Sequence, residues 1–305
     1  MTFVKNAWKI VLLAAVGLAS PSQAFGCACG CSVYFVGTRW MMITSPGTRL
    51  FFQYAYLDQN RNWSGVQRAS SDLNSDKLIT TSFYTLGMQY MIDRDLGLMV
   101  SVPLWDRYQS GIDDDGNAFS VRHRSIGDAK VMGMYTGFSD DMSTALSIGL
   151  KLPTGRFNET LLDRDTQIGT GTTDVLLSAY QMDQESGWGW YIQGALVSPL
   201  NERNGYKPGN DFNAAVGFHY DGLSSSFGVV PIASIVASFR GRDSGSQADP
   251  ENSGYARLFV SAGVEVVLSK SIHFDLDAGL PIYSRVNGNQ LISPQLLNST
   301  LSYQF

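Results

Sequence analysis

Apolar and polar residues alternate along most of this chain with a period of two, the spacing of a strand whose two faces meet different surroundings. Twelve such runs can be traced. The first lies near Thr48 to Asp58, with Leu50, Phe52, Tyr54 and Tyr56 on one face. The second, Leu78 to Ile92, sets Leu78, Tyr84, Leu86, Met88 and Tyr90 against Thr81, Thr85, Gly87 and Gln89. Leu96, Leu98, Val100, Val102 and Leu104 mark the third, and Ala129, Val131 and Tyr135 oppose Asp128 and Lys130 in the fourth. The fifth puts Leu146, Ile148, Leu150 and Leu152 opposite Ser147, Gly149 and Lys151. The sixth, Thr173 to Met182, has an open phase at Val175-Leu176-Leu177, with Asp174 on the polar side. Trp188, Trp190, Ile192 and Leu196 define the seventh; Phe212, Ala214, Val216, Phe218 and Tyr220 the eighth, with Asn213 and His219 opposite. The ninth, Phe227 to Phe239, is interrupted by Pro231 and is apolar on both faces. Ala256 to Leu268 forms the tenth, against Arg257 and Glu265. In the eleventh, Ile272, Phe274, Leu276, Ala278 and Leu280 alternate with His273, Asp275, Asp277 and Gly279, and the twelfth ends the chain at Phe305.

The linkers alternate as well. Tight turn-type clusters follow the even-numbered runs: Asp93-Arg94-Asp95, Ser139-Asp140-Asp141, Asp183 to Gly187, Asp221-Gly222-Leu223 and Ser269-Lys270-Ser271. Long polar stretches follow the odd ones: 59–77, 106–124, 154–167, 201–210, 240–253 and 285–290. A barrel whose ends lie in different compartments segregates loop length in this way, and a sandwich has no reason to. The predicted fold is all-β: a monomeric, transmembrane, antiparallel up-and-down β-barrel of about twelve strands spanning 48–305, with both termini at the short-turn end. Closure of the first strand on the twelfth removes the open edge that lipid would not tolerate.

The final segment, Leu297 to Phe305, resembles the closing strand of a bacterial outer-membrane barrel, a strand that barrel-assembly machinery would read through Phe305. Near the other terminus, Lys5 and Lys9 precede an apolar stretch, Ile10 to Ala19, and Ser22-Gln23-Ala24 supplies small residues for cleavage. This is the pattern of an export signal over 1–24, too short to span a bilayer. Beyond it, no run reaches the roughly 18 apolar residues of a spanning helix. Residues 25–47 are expected to form a cysteine-containing periplasmic extension or a plug.

Composition sharpens the picture. Charged residues are 16% of the chain and aromatics 12%, against about 25% charged in soluble domains. The surface must therefore accept apolar and aromatic side chains, and a mean hydropathy of −0.06 fits inward polar residues offsetting outward apolar ones. The formal charge is −5, and loss of Lys5 and Lys9 takes it two further, to −7; nucleic acid, which wants a basic face, is excluded.

Short glycine-rich motifs carry a family resemblance. Ala145-Leu-Ser-Ile-Gly-Leu-Lys151-Leu-Pro153-Thr154-Gly155, Ile168-Gly-Thr-Gly-Thr-Thr-Asp174, Ser125-Ile-Gly-Asp-Ala-Lys130 and the strand from Gly97 to Pro103 resemble stretches of the MetA-pathway phenol-degradation family of outer-membrane barrels. The resemblance runs from Arg49 to Phe305. It implies an integral protein of the bacterial outer membrane, a channel or transporter passing small, often hydrophobic or aromatic solutes, with lipid and solute as its partners and no enzymatic activity. The cysteine segment is not part of the family pattern.

The inward phase collects Asp128, Lys130, Lys151, Asp174, His219, Arg257, Glu265, His273, Asp275 and Asp277. These would line a polar pore, or else close a narrow barrel with salt bridges. Cys27, Cys29 and Cys31 fall two apart, so an extended segment puts three thiols on one side. They could hold Cu or Zn, making the barrel a scaffold for a metal-binding or redox segment, or form one disulfide with a thiol left over. No other cofactor is expected, and no CxxCH haem motif occurs. His273, Asp275 and Asp277 share a face as a water-activating set would, although a lumen network has the same look; catalytic residues are expected to be none. Asp113-Asp114-Asp115-Gly116-Asn117 lacks the Gly and Glu of an EF-hand and is expected to be a solvated turn.

Overall fold

The computed structural model describes residues 42, 45–113, 115–160 and 162–305, so the expected export signal, the three cysteines and most of 25–47 lie outside the described residues. Numbered along the chain, the strands are β1 (Thr48–Gln59), β2 (Arg61–Ser64), β3 (Gln67–Arg68), β4 (Asp76–Met91), β5 (Leu96–Ile112), β6 (Ala118–Ile126), β7 (Ala129–Tyr135) and β8 (Thr144–Leu152). There follow β9 (Asp174–Glu185), β10 (Trp188–Pro199), β11 (Asp211–Tyr220), β12 (Val229–Arg240), β13 (Tyr255–Val267), β14 (Ile272–Val286), β15 (Asn289–Ile292) and β16 (Leu296–Gln304). Twelve of them, β1, β4, β5, β7 to β14 and β16, pair antiparallel in a ring that β16 closes on β1, from Arg49↔Gln304 to Leu57↔Leu296. The twelve-stranded barrel expected from alternation is the fold observed.

The ring works because each strand keeps its phase. Outward positions are Leu, Ile, Val, Phe and Tyr with large exposure, Leu86 at 63% and Ile148 at 62% among them, while their neighbours in sequence are buried inside. A soluble monomer exposes apolar patches of roughly 300–600 Å²; a belt around a whole wall belongs against lipid. Paired aromatics edge the belt. At the short-turn end Tyr135 meets Phe138, Trp188 meets Tyr220, and Tyr303 meets Phe305, with ring centroids 4.8, 4.6 and 5.5 Å apart. Towards the other end Tyr54 meets Tyr84 at 5.3 Å. Phe305 also completes the seam, exchanging backbone hydrogen bonds with Thr48 at 3.0 and 2.9 Å.

The structure departs from the sequence reading in several elements, among them β2, β3 and β15, a small second sheet within segments expected as loops. Residues 106–124 are not a loop. β5 continues to Ile112 and returns as β6, so that β6 and β7 act as one strand along β5, broken at Gly127 and Asp128. Above the lipid belt both faces are wet, and nothing imposes the apolar alternation by which a strand is recognised. β12 begins at Val229 rather than Phe227, because Ser224–Phe227 forms a helical turn that ends at Gly228, which has φ 65°. Its two apolar faces have separate causes: Ile235 and Phe239 face outward, while Val230, Ile232 and Val236 join a core inside the lumen with Tyr180, Tyr191 and Phe259. Pro231 sits one residue beyond the end of the β11 ladder, where its missing N–H is tolerated. The open phase in β9 resolves with Leu176 inward, 1% exposed.

Candidate functional site

The long segment 153–173 that follows β8 turns into the lumen, where it meets Arg107 and Asp128. Backbone contact makes this possible. A Cβ on Gly169 would lie 2.3 Å from Gly155 O, so two strands of the loop touch where any side chain would part them. Asp128, turned inward by the break between β6 and β7, pins the loop at three points: Oδ1 accepts from Gly155 N at 3.0 Å, and Oδ2 from Thr170 N at 3.0 Å and Thr170 Oγ1 at 2.9 Å. Lys151 Nζ stands between two carboxylates, 2.7 Å from Asp174 Oδ2 and 3.2 Å from Asp128 Oδ2, and donates to Thr170 Oγ1. Thr172 Oγ1 completes the array by donating to Asp174 Oδ1 at 2.6 Å. The glycine-rich motifs at 145–155 and 168–174 are the two halves of this one joint.

Further along, the loop is held from the wall. Arg107, 2% exposed, donates to Thr81 Oγ1 at 3.0 Å and to the carbonyls of Thr166 and Gln167. On β6, His123 Nδ1 lies 3.3 Å from Glu159 Oε2. Arg164 is stacked between Phe157 and Tyr206, 4.9 and 4.7 Å from their centroids, which joins this loop to the one over 200–210. That second loop is tied in turn by Asp243, which accepts from Tyr206 Oη at 2.7 Å and from Gly209 N at 2.8 Å.

Between the loops and the wall lies a cavity of about 180 Å³, well above the ~10–15 Å³ that one water needs. Its lining mixes apolar rings with charges. Adjacent strands β1, β4 and β5 offer Phe51, Ala55, Phe83, Met99, Pro103 and Trp105, with the Phe83 and Trp105 rings edge to face at 4.7 Å. The rest of the lining includes Lys130, Lys151, Asp174, Asp211 and Arg240 on β7, β8, β9, β11 and β12, with Asp128 and Arg164 at the loop.

The ten residues read as inward divide among several places. Asp128, Lys130, Lys151 and Asp174 meet at the cavity. Arg257 lies apart, 6% exposed, stacked on Phe259 at 4.7 Å and donating to Ser293 O at 2.9 Å. His219 is near the short-turn end, its ring over Gly189 and Nε2 3.6 Å from Asp221 Oδ2. Glu265, His273, Asp275 and Asp277 form a row on β13 and β14, with Glu265 opposite Asp275 and Glu265 Oε1 2.7 Å from His273 Nδ1. Asp277 fits because its neighbour across the ladder is Gly263. Among the described residues no group of three or more His, Cys, Asp or Glu is placed to hold a metal. Arg107, His123, Arg164 and Trp105 belong to this arrangement and were missed in the sequence reading, since all lie in, or contact, segments taken for loop. Asp113 caps its own turn by accepting from Asp115 N and Asn117 N.

No protein-family model matches the chain, and no curated protein does. Solved structures do resemble it. An outer membrane channel from Pseudomonas putida F1 superposes with a TM-score of 0.68 at 15% identity, over 88% of this chain and 100% of that one. The fold is that of an outer-membrane β-barrel. The β domain of the Bordetella autotransporter BrkA is more distant, with a TM-score of 0.50 at 12% identity over 86% of this chain and 100% of that one.

Proposed function

We propose that the protein is a channel of the bacterial outer membrane through which small solutes, aromatic ones among them, cross by way of the cavity beneath loop 153–173. The observation that carries this reading is a lumen cavity lined by the rings of Phe51, Phe83 and Trp105 together with fixed charges, inside a barrel whose outer face is fit for lipid. Ring faces offer a solute apolar contact, and the charges keep the rest of the passage wet. The likeness to the Pseudomonas channel supports it. In this reading the short turns and both termini face the periplasm, the long loops face outward, and assembly machinery takes the β16 strand by its terminal Phe305. Residues 25–47 act as a plug: Met42, 1% exposed, is packed in the lumen core with Phe83, Tyr180 and Tyr191, and its carbonyl accepts from Arg49 at 3.2 Å.

Solute occupancy can be read as interruption of ionic current through single channels in planar bilayers. Millimolar benzyl alcohol is expected to produce resolvable blockages that glycerol does not, and Trp105→Ala to shorten their dwell time several-fold, since ring stacking is worth about 0.5–1.5 kcal/mol beyond area. Equal blockage by both solutes, or no effect of the substitution, contradicts an aromatic-lined path.

A further inference from the structure

Five of the ten methionines gather at one place. Met91, Met99, Met132, Met134 and Met142 are five of the six buried members of a single cluster near the short-turn end, Leu176 being the sixth. Register explains how they meet. Met99 is directly opposite Met132 across β5 and β7, and Gly97, two residues earlier on the same face, lies between Met134 on one side and Met91 on the other. Glycines make the room: a Cβ on Gly97 would fall 2.3 Å from Met91 Sδ, and one on Gly149, opposite Met132, 2.6 Å from Met132 Cγ. The result is two rungs of thioethers, one above the other, on the inner wall.

Neighbouring apolar positions are filled by other residue types. Outward positions of the same strands are Leu96, Leu98, Val100, Val131, Leu146 and Ile148, and the larger lumen core is built on Tyr180, Tyr191, Val230, Val236 and Phe259. Met99 Sδ already accepts from Gln89 Nε2 at 3.7 Å, so its lone pairs meet polar atoms as well as carbon. Thioethers are soft donors that select Cu(I), and a neutral donor set in so buried a place suits a monovalent ion better than a divalent one.

We propose that this cluster binds a soft monovalent cation, Cu(I) or its analogue Ag(I), through the thioethers of Met99 and Met132 with Met91 and Met134 beside them. Solute passage is not needed for this site, and its test involves no current.

The full chain with Cys27, Cys29 and Cys31 changed to Ser, so that thiols cannot compete, is titrated in micelles with silver nitrate alone and followed by NMR of ¹³C-labelled methionine methyls. The expected result is saturation near one ion per chain, with the Met99 and Met132 methyls shifted and the outward Met88 unmoved. Met99→Leu with Met132→Leu, which conserves volume, should weaken binding about ten-fold or more while the heat-modifiable gel mobility of the folded barrel is kept. Unshifted Met99 and Met132 methyls overturn the proposal, and so does undiminished affinity in a folded double variant. Should the double variant not fold, the methyl shifts decide alone.

Discussion

Lys151 is the cation shared by the two carboxylates of the joint. Its ammonium lies between Asp128 and Asp174, with all three side chains at most 9% exposed. Two carboxylates so placed repel each other once the cation is gone, and breaking a buried ion pair from one side costs about 3–5 kcal/mol. Lys151→Ala is therefore expected to lower the stability of the folded barrel by that order, measured as a fall in the urea midpoint for unfolding from lipid vesicles. An unchanged midpoint would mean that water reaches both carboxylates. The charges themselves were legible in the sequence, since Asp128, Lys130, Lys151 and Asp174 break apolar runs on the polar phase. Their pairing was not, because Asp128 and Asp174 are 46 residues apart and only the register of the β7–β8 and β8–β9 pairings sets both beside Lys151.

At the scale of elements, the loop over 153–173 decides how much lumen is left. Its docking depends on Gly155 and Gly169 touching through their backbones. Gly169→Val forces the two apart, and the loop must leave the lumen or the joint must rearrange. The expected outcome is a larger single-channel conductance than that of the parent protein, together with new cleavage by trypsin after Arg164 in the folded protein. Unaltered conductance would show that the loop does not obstruct the path. The sequence displayed this loop as a long polar stretch, 154–167, flanked by glycine-rich motifs. Which way it turned was hidden, because its anchors, Arg107 and His123, are on β5 and β6 above the belt, where polar residues on both faces erase the period of two. Within the belt the same period located nearly every wall strand. β12 was the obscure one, since Val230, Ile232 and Val236 pack into a lumen that is itself apolar at that level.

For the whole molecule, the physics is that of one closed sheet between two solvents. Lipid outside demands Leu, Val and Phe at alternate positions; a lumen that is part core, part ion network and part cavity takes whatever its contents require. The outer face is thus uniform and readable, and the inner face is particular. Strand number, phase and the inequality of the two ends follow from the first. The separate places of Arg257, His219 and the Glu265 row follow from the second, and three-dimensional register is needed to see them. The central claim is that this lumen is a passage, narrowed by loop 153–173 and plugged by the segment that contains Met42. Single-channel recording in planar bilayers tests it most directly, comparing the full mature chain with a variant lacking residues 25–47. The account predicts small discrete current steps from the first and distinctly larger ones from the second; silence from both, with each shown to be folded and inserted, would contradict it.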